Sequence, residues 1–164
     1  MISNRPEKYM SQQPDFDLDA AHRYFSAQCF NRAWDLIDKP DRIPEEDEEM
    51  VRLSMAASWH WTQRPDCTNK NLSIGYWQIS RSYALLRQAD NARFYAQRCL
   101  DVSQGDDIAP FYLGYAYEAL ARAESVAGER ARMKAYISLA QEAAEKVTDM
   151  DAHKQLLNDL ETIH

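Results

Sequence analysis

Apolar residues recur at intervals of three and four along most of the chain, the spacing that places them on one face of an α-helix. In the first such segment Phe25, Cys29, Ala33 and Leu36 form one stripe. Proline, glycine or short polar turns interrupt the pattern between segments, as is typical of helix ends. The pattern therefore predicts seven helices, at about residues 17–38, 44–63, 72–87, 91–105, 108–127, 129–147 and 149–163.

The first helix leaves an alternative open. Tyr24 and Ala33 repeat the nine-residue spacing of Tyr83 and Ala92, so this segment could instead be a short hairpin broken near residues 30–31. Its apolar stripe runs through the proposed break. We therefore predict one continuous helix.

Composition supports an all-α fold. The chain has 164 residues, of which 45% are hydrophobic and only four are glycine. Its valines are far fewer than its alanines, whereas β-sheets favour β-branched residues. A chain of this length can bury a core without disulfides. We expect a flexible N-terminal arm over residues 1–14 and a single helical domain over residues 15–164.

Charge and cysteine content exclude several classes of function. The formal net charge is −7 and there is no basic run, so binding of nucleic acid or of anionic membranes is not expected. No apolar stretch has the ~20 residues of a spanning helix and no secretory signal is recognisable, which predicts a cytoplasmic protein. The three cysteines lack CxxC spacing, and neither a disulfide framework, a metal site nor a cofactor is expected. Cys29 and Cys99 are predicted to be core residues and Cys67 a loop thiol.

Two segments of the chain are similar to each other at an offset of 34 residues. The matching positions are Ile74 and Ile108, Trp77 and Phe111, Ile79 and Leu113, Ser80 and Gly114, Tyr83 and Tyr117, and Leu86 and Leu120. In the helices that follow, the offset is 41, as between Ala92 and Met133. We interpret the difference as a seven-residue insertion that lengthens helix five by two turns. A period of this length is typical of stacked helical hairpins.

These residues resemble the tetratricopeptide repeat, a 34-residue helix–turn–helix unit. The first unit carries Tyr76, the Ile79-Ser80 pair, Tyr83 and Ala92, although in the second Pro110 replaces the usual bulky residue. The resemblance covers about residues 72–147. It implies a right-handed stack of helical hairpins, that is, a tetratricopeptide-like α-solenoid of about seven helices in which helix seven is the solvating cap.

Further segments extend the resemblance to most of the chain. Residues 39–42, 44–47, 57–61 and 115–122 look like those of a group of bacterial proteins described only as tetratricopeptide-like and of unknown function. This second resemblance implies no activity.

In tetratricopeptide proteins the first helix of each pair lines a concave groove. Carried onto this sequence, the resemblance implies a groove that contains three aromatic residues, two arginines and a glutamate, which are Trp77, Phe111, Tyr115, Arg81, Arg122 and Glu118. Aromatic residues and arginine often carry interface energy. The alternative is that Trp77 and Phe111 belong to the core and that Arg81 pairs with Glu118 inside the stack.

Candidate catalytic chemistry is sparse. His60 lies near the end of helix two, where a histidine commonly bonds the terminal carbonyls, and no second histidine lies at helical spacing from it. The acidic run at residues 45–49 suits a helix start, as does Asp149. We assign no catalytic residue.

We therefore predict a non-catalytic protein–protein interaction module that binds a peptide segment or a like subunit in the groove, and a homodimer is one natural outcome. The alternative is a small-molecule sensor or enzyme with a pocket between helices two, three and five, formed by His60, Arg81 and Glu118.

Overall fold

The computed structural model describes residues 15–105 and 107–164, so the predicted arm at residues 1–14 lies outside the described residues. Over these ranges the chain is all-helical and has no strand. The seven helices are α1 (Leu18–Ile37), α2 (Pro44–Thr62), α3 (Asn69–Leu85), α4 (Ala89–Ser103), α5 (Pro110–Ala127), α6 (Arg130–Ala144) and α7 (Met150–Glu161). The predicted all-α class with seven helices is confirmed, and α1 is continuous. None of the described helices is both long and apolar enough to cross a bilayer.

Local signals in the sequence explain where several helices begin and end. Pro44 occupies the first turn of α2, and the carboxylate of Glu46 accepts a hydrogen bond from the backbone N–H of Ile43 at 3.1 Å. Asp149 caps α7 by accepting from the backbone N–H of Ala152 at 2.8 Å. Gly128 follows the last residue of α5 and terminates the helix, since its φ of 78° lies in the left-handed region that favours glycine. The predicted role of these acidic residues in starting helices is confirmed.

The helices pack as consecutive pairs. α1 packs on α2, α3 on α4 and α5 on α6, and the second helix of each pair also contacts the first helix that follows it. α1, α3, α5 and α7 touch in succession, so they share one face of the molecule. Among the described residues α1 contacts neither α5 nor α7, and α2 does not contact α5. The sequence of contacts is therefore linear.

The internal repeat has a period of 41 residues rather than 34. The first residues of α3 and α5 (69 and 110) and those of α4 and α6 (89 and 130) differ by 41 in both cases. The ring pair Tyr76–Tyr95, with centroids 6.3 Å apart, recurs as Tyr117–Tyr136 at 6.4 Å. Tyr117 is thus the equivalent of Tyr76, and its assignment to Tyr83 is wrong.

The predicted insertion of two turns in helix five is also wrong. α5 has 18 residues and α3 has 17, so the two helices are nearly equal in length. The chain between α4 and α5 spans residues 104–109, and it is longer than the connection between α3 and α4 or between α5 and α6. The 34-residue match arose because apolar residues recur along a helix at intervals of three and four, so a shift of seven residues preserves much of the apolar pattern.

Two large clusters of buried apolar residues lie where α5 meets α4, α6 and α7, and further buried apolar residues lie on α1, α2 and α3. The two clusters contain Leu100 and Leu120 on one side of α5 and Met133, Leu156 and Leu160 on the other. α5 is the most buried helix because it has packed neighbours on several sides. Burial of this apolar surface is the main driving force for the fold.

The three cysteines differ in burial. Cys99 is fully buried, and its burial raises the pKa of the thiol to about 11. Cys67 lies in the connection between α2 and α3, as predicted, whereas Cys29 is only half-buried on α1 rather than a core residue.

Candidate functional site

A cavity lined by aromatic rings opens on the face shared by α1, α3, α5 and α7. Its volume is about 140 Å³. The residues that line this aromatic cavity are Phe30, Trp34, Ser73, Ile74, Trp77, Phe111, Tyr112, Tyr115, Gln155 and Asp159. Six of the ten side chains are aromatic, and every one of the four helices contributes to the wall.

The rings of the cavity contact one another in a fixed arrangement. Trp34 stacks on Trp77 with ring centroids 5.4 Å apart, and the ring of Tyr115 stands nearly perpendicular to Trp77 at 5.6 Å. Phe111 lies 4.9 Å from Tyr115. Such edge-to-face contacts are favourable aromatic geometry. They leave these rings partly packed on the core and partly facing the cavity.

A carboxylate and a phenol meet at the cavity wall. The hydroxyl of Tyr115 donates a hydrogen bond to Asp159 Oδ2 at 2.5 Å. Burial, and then the hydrogen bond to Asp159, raises the pKa of the Tyr115 phenol. This phenol therefore stays protonated and holds the Asp159 carboxylate in place.

Glu118 is a buried carboxylate that links two helices below the cavity. Its side chain is 1% exposed; it accepts a hydrogen bond from Trp77 Nε1 at 2.8 Å and forms an ion pair with Arg122. Arg122 also donates to the backbone oxygen of Asp159 at 2.9 Å and to Thr162 Oγ1 at 2.6 Å. Through these bonds Glu118 and Arg122 connect α3, α5 and α7.

Arg81 lies in a neighbouring cavity of about 220 Å³. This second cavity is lined by Arg81, Ala84, Leu85, Arg122, Ser125, Val126, Thr162, Ile163 and His164. Burial and the nearby Arg122 guanidinium lower the pKa of Arg81. Among the described residues Arg81 forms no ion pair, so the alternative in which Arg81 pairs with Glu118 is not observed, and Glu118 pairs with Arg122 instead.

The structure brings the six groove residues predicted from the sequence onto one face. Trp77, Phe111 and Tyr115 line the aromatic cavity, Arg81 and Arg122 line the second cavity, and Glu118 is buried next to both. The other seven residues that line the aromatic cavity were not predicted from the sequence, namely Phe30, Trp34, Ser73, Ile74, Tyr112, Gln155 and Asp159. If α1, as the first helix of a pair, had also been expected to line the groove, Trp34 would have been included. If α7 had been treated as a helix of the groove rather than as a cap, Asp159 would have been included.

His60 lies apart from this site and has a partner that the sequence argument missed. His60 Nδ1 is 2.8 Å from His22 Nδ1, and the ring of Phe25 stacks on His60 at 5.4 Å. His60 therefore bonds a second histidine rather than the terminal carbonyls of α2. α1 and α2 are antiparallel, with the turn between them near residue 41. Residues at equal distances from this turn, whose numbers therefore sum to about 82, face each other. His22 and His60 meet this condition, so the sequence could have predicted their contact. His60 contacts His22 and Phe25 and lines neither the aromatic cavity nor the cavity that contains Arg81, so the structure does not bring it together with Arg81 and Glu118.

The histidine pair predicts a dependence of stability on pH. Burial and the neighbouring His22 lower the pKa of His60 below its usual 6.5, so the unfolded chain takes up this proton more readily than the folded one. The stability that neutral His60 contributes is complete above pH 6.5 and is lost as the pH falls through and below that value. We expect the melting temperature to decrease between about pH 7.5 and 5.5, and to decrease less in His60→Asn. An equal decrease in both proteins would contradict this prediction, and His164→Asn, at an exposed histidine, is the matched control.

The described residues contain no group of three or more potential metal ligands. Comparisons of the chain with protein-family models, with curated proteins and with solved structures give no match.

Proposed function

We propose that this protein is a non-catalytic interaction module whose groove, on the face of α1, α3, α5 and α7, binds a segment of a partner protein or of a second copy of the chain. The observation that carries the proposal is the aromatic cavity, where partly exposed rings from three helices surround a space that holds one side chain. Engineered cavities of similar volume, about 150 Å³, accommodate a benzene-sized group. Recognition of an extended segment commonly depends on a few such anchors.

The surroundings of the cavity suit a binding surface. Trp77 is held by Glu118 and by Trp34, and Tyr115 is held by Asp159, so the rings are ordered before a partner arrives. Pre-ordering reduces the entropy lost on binding. The second cavity, with Arg81 and Arg122, provides adjacent hydrogen-bond donors for a peptide backbone or an acidic side chain.

We further propose that the hairpins form a right-handed, tetratricopeptide-like stack. The linear order of helix contacts and the succession of α1, α3, α5 and α7 along one face support this interpretation. The 41-residue period is longer than that of the tetratricopeptide repeat, so the arrangement is a variant of that architecture.

Site-specific crosslinking tests the proposed groove. A photoreactive phenylalanine analogue is placed at Phe111 in the groove and, as a matched control, at Phe94, whose side chain is 58% exposed on α4. We expect irradiation in cell lysate to give a discrete crosslinked product from position 111 only. A product of about twice 19.0 kDa identifies a second copy of the chain. Equal yields from both positions, or none from position 111, would argue against the groove.

A second candidate function is the sensing of a small molecule. The observation that favours it is the small size of the aromatic cavity and its mixed lining of rings and one carboxylate. In this case the ligand occupies a site between α1, α3, α5 and α7 rather than between α2, α3 and α5. A thermal-shift screen with metabolites tests it, and stabilisation that disappears in Trp34→Leu is the expected result.

A further inference from the structure

The aromatic cavity combines π faces with one negative charge. Phe30, Trp34, Trp77, Phe111, Tyr112 and Tyr115 supply six rings, and Asp159 supplies a carboxylate at the wall. The faces of aromatic rings carry negative electrostatic potential and attract cations within about 6 Å of the ring centroid. One of these rings already lies near a cation, since Lys70 Nζ is 5.5 Å from the centroid of Tyr112.

The carboxylate of Asp159 disfavours binding of a purely apolar group in the cavity. A hydrocarbon side chain that filled the cavity would remove water from Asp159 without providing a compensating charge, which is costly. The hydrogen bond from Tyr115 satisfies one carboxylate oxygen only. A cation in the cavity interacts with the carboxylate and with the rings at once, in addition to the attraction that already exists between Asp159 and Arg81.

The scarcity of hydrogen-bond acceptors favours a cation that has no N–H groups. A primary ammonium carries three donors that need acceptors. Beside Asp159, the acceptors of the lining are the Gln155 amide oxygen and the hydroxyls of Ser73, Tyr112 and Tyr115. Two of these hydroxyls are already engaged, since Ser73 Oγ is paired with Ser103 Oγ at 2.8 Å and Tyr115 is bonded to Asp159. A quaternary ammonium carries no donor, and its methyl groups can lie directly against the rings.

From these three observations we propose that the aromatic cavity binds a quaternary ammonium group, with the rings of Trp34, Trp77 and Tyr115 as walls and Asp159 as the counter-charge. The volume of about 140 Å³ is similar to that of engineered cavities, about 150 Å³, that bind benzene, and a trimethylammonium group is no larger than benzene. The inference rests on the proposed function, in that the same groove is the binding face, and it names the chemistry of the group that the groove accepts.

The test is a calorimetric titration of the full chain with choline and with 3,3-dimethylbutan-1-ol, its uncharged isostere. We expect choline to bind at least about tenfold more tightly than the isostere, because only choline gains the cation–π and charge interactions. Asp159→Asn, which keeps an acceptor for Tyr115, is expected to lower the choline affinity about tenfold. It should not lower the affinity of the isostere, which no longer removes water from a charged carboxylate. Trp59→Leu removes an exposed tryptophan of α2 and is the matched control, with unchanged affinity expected.

The outcomes separate this inference from the proposed function. Equal affinities for choline and its isostere, no effect of Asp159→Asn, or no binding of choline would overturn the ammonium site, even if crosslinking at Phe111 identifies a partner. Selective choline binding without any crosslinked partner supports the ammonium site and contradicts the interaction module. A peptide that carries N-trimethyllysine distinguishes the source: tighter binding than choline indicates a group on a partner segment, and weaker binding indicates a free small molecule.

Discussion

Glu118→Ala is expected to lower the free energy of unfolding by about 3–5 kcal/mol, because it removes one member of a buried ion pair and leaves the other without a counter-charge. The side chain of Arg122 is only 11% exposed, so water compensates little. The substitution also leaves Trp77 Nε1–H without its acceptor. Urea denaturation monitored by far-UV circular dichroism measures the change.

The chain contains a matched pair for comparison. Glu48 and Arg52 form an ion pair with the same spacing of four residues, but their side chains are 63% and 65% exposed. Glu48→Ala is therefore expected to cost less than about 0.5 kcal/mol. Glu118→Gln keeps an acceptor for Trp77 and should lie between the two. If Glu118→Ala and Glu48→Ala destabilise the protein equally, burial of the Glu118–Arg122 pair does not determine its contribution.

Leu156→Ala is expected to destabilise the protein by about 2–5 kcal/mol, the range for large-to-small substitutions in a close-packed core. Leu156 is fully buried in the cluster where α7 packs on α5 and α6. Leu139 on α6 is 37% exposed, and Leu139→Ala is the matched control with a much smaller expected loss. Thermal denaturation and urea denaturation both measure this difference.

The effect of Gly114→Ala on stability should depend on the residue at position 156. We expect it to be destabilising when leucine is present there and stabilising in the Leu156→Ala protein. A Cβ at Gly114 would overlap with Leu156 Cδ2, so Gly114→Ala alone is expected to cost about 1–3 kcal/mol through overpacking. In the Leu156→Ala protein that overlap disappears, and alanine then stabilises the helix by up to about 1 kcal/mol. Additive effects of the two substitutions would show that the close approach of α5 and α7 does not depend on the glycine.

The helices could be predicted because their signals are local. Apolar spacing and the residues Pro44, Asp149 and Gly128 placed most boundaries within two or three residues of those observed. The register of the repeat was not predictable in the same way. Tyr76, Tyr83 and Tyr117 all lie on helices and are all aromatic, and only the position of the hairpin turns determines which of them are equivalent.

The sequence predicted residues of the candidate site that lie on α3 and α5, but none of those that lie on α1 and α7. Trp77, Phe111 and Tyr115 belong to helices that carry the recognised repeat, so their common face followed from the resemblance. Asp159 and Trp34 come from helices outside that repeat, and their approach to Tyr115 and Trp77 depends on long-range packing. Hydrophobic periodicity carries no information about such contacts.

The linear order of helix contacts has a consequence for amide hydrogen exchange. In arrays whose units touch only their neighbours, opening starts at the ends and propagates inwards. The backbone amides of α1 and α2 should therefore exchange sooner than those of α5, which packs against four other helices. Since Trp34 brings α1 to the wall of the aromatic cavity, an occupant that also touches α5 and α7 should slow exchange in α1 more than in any central helix.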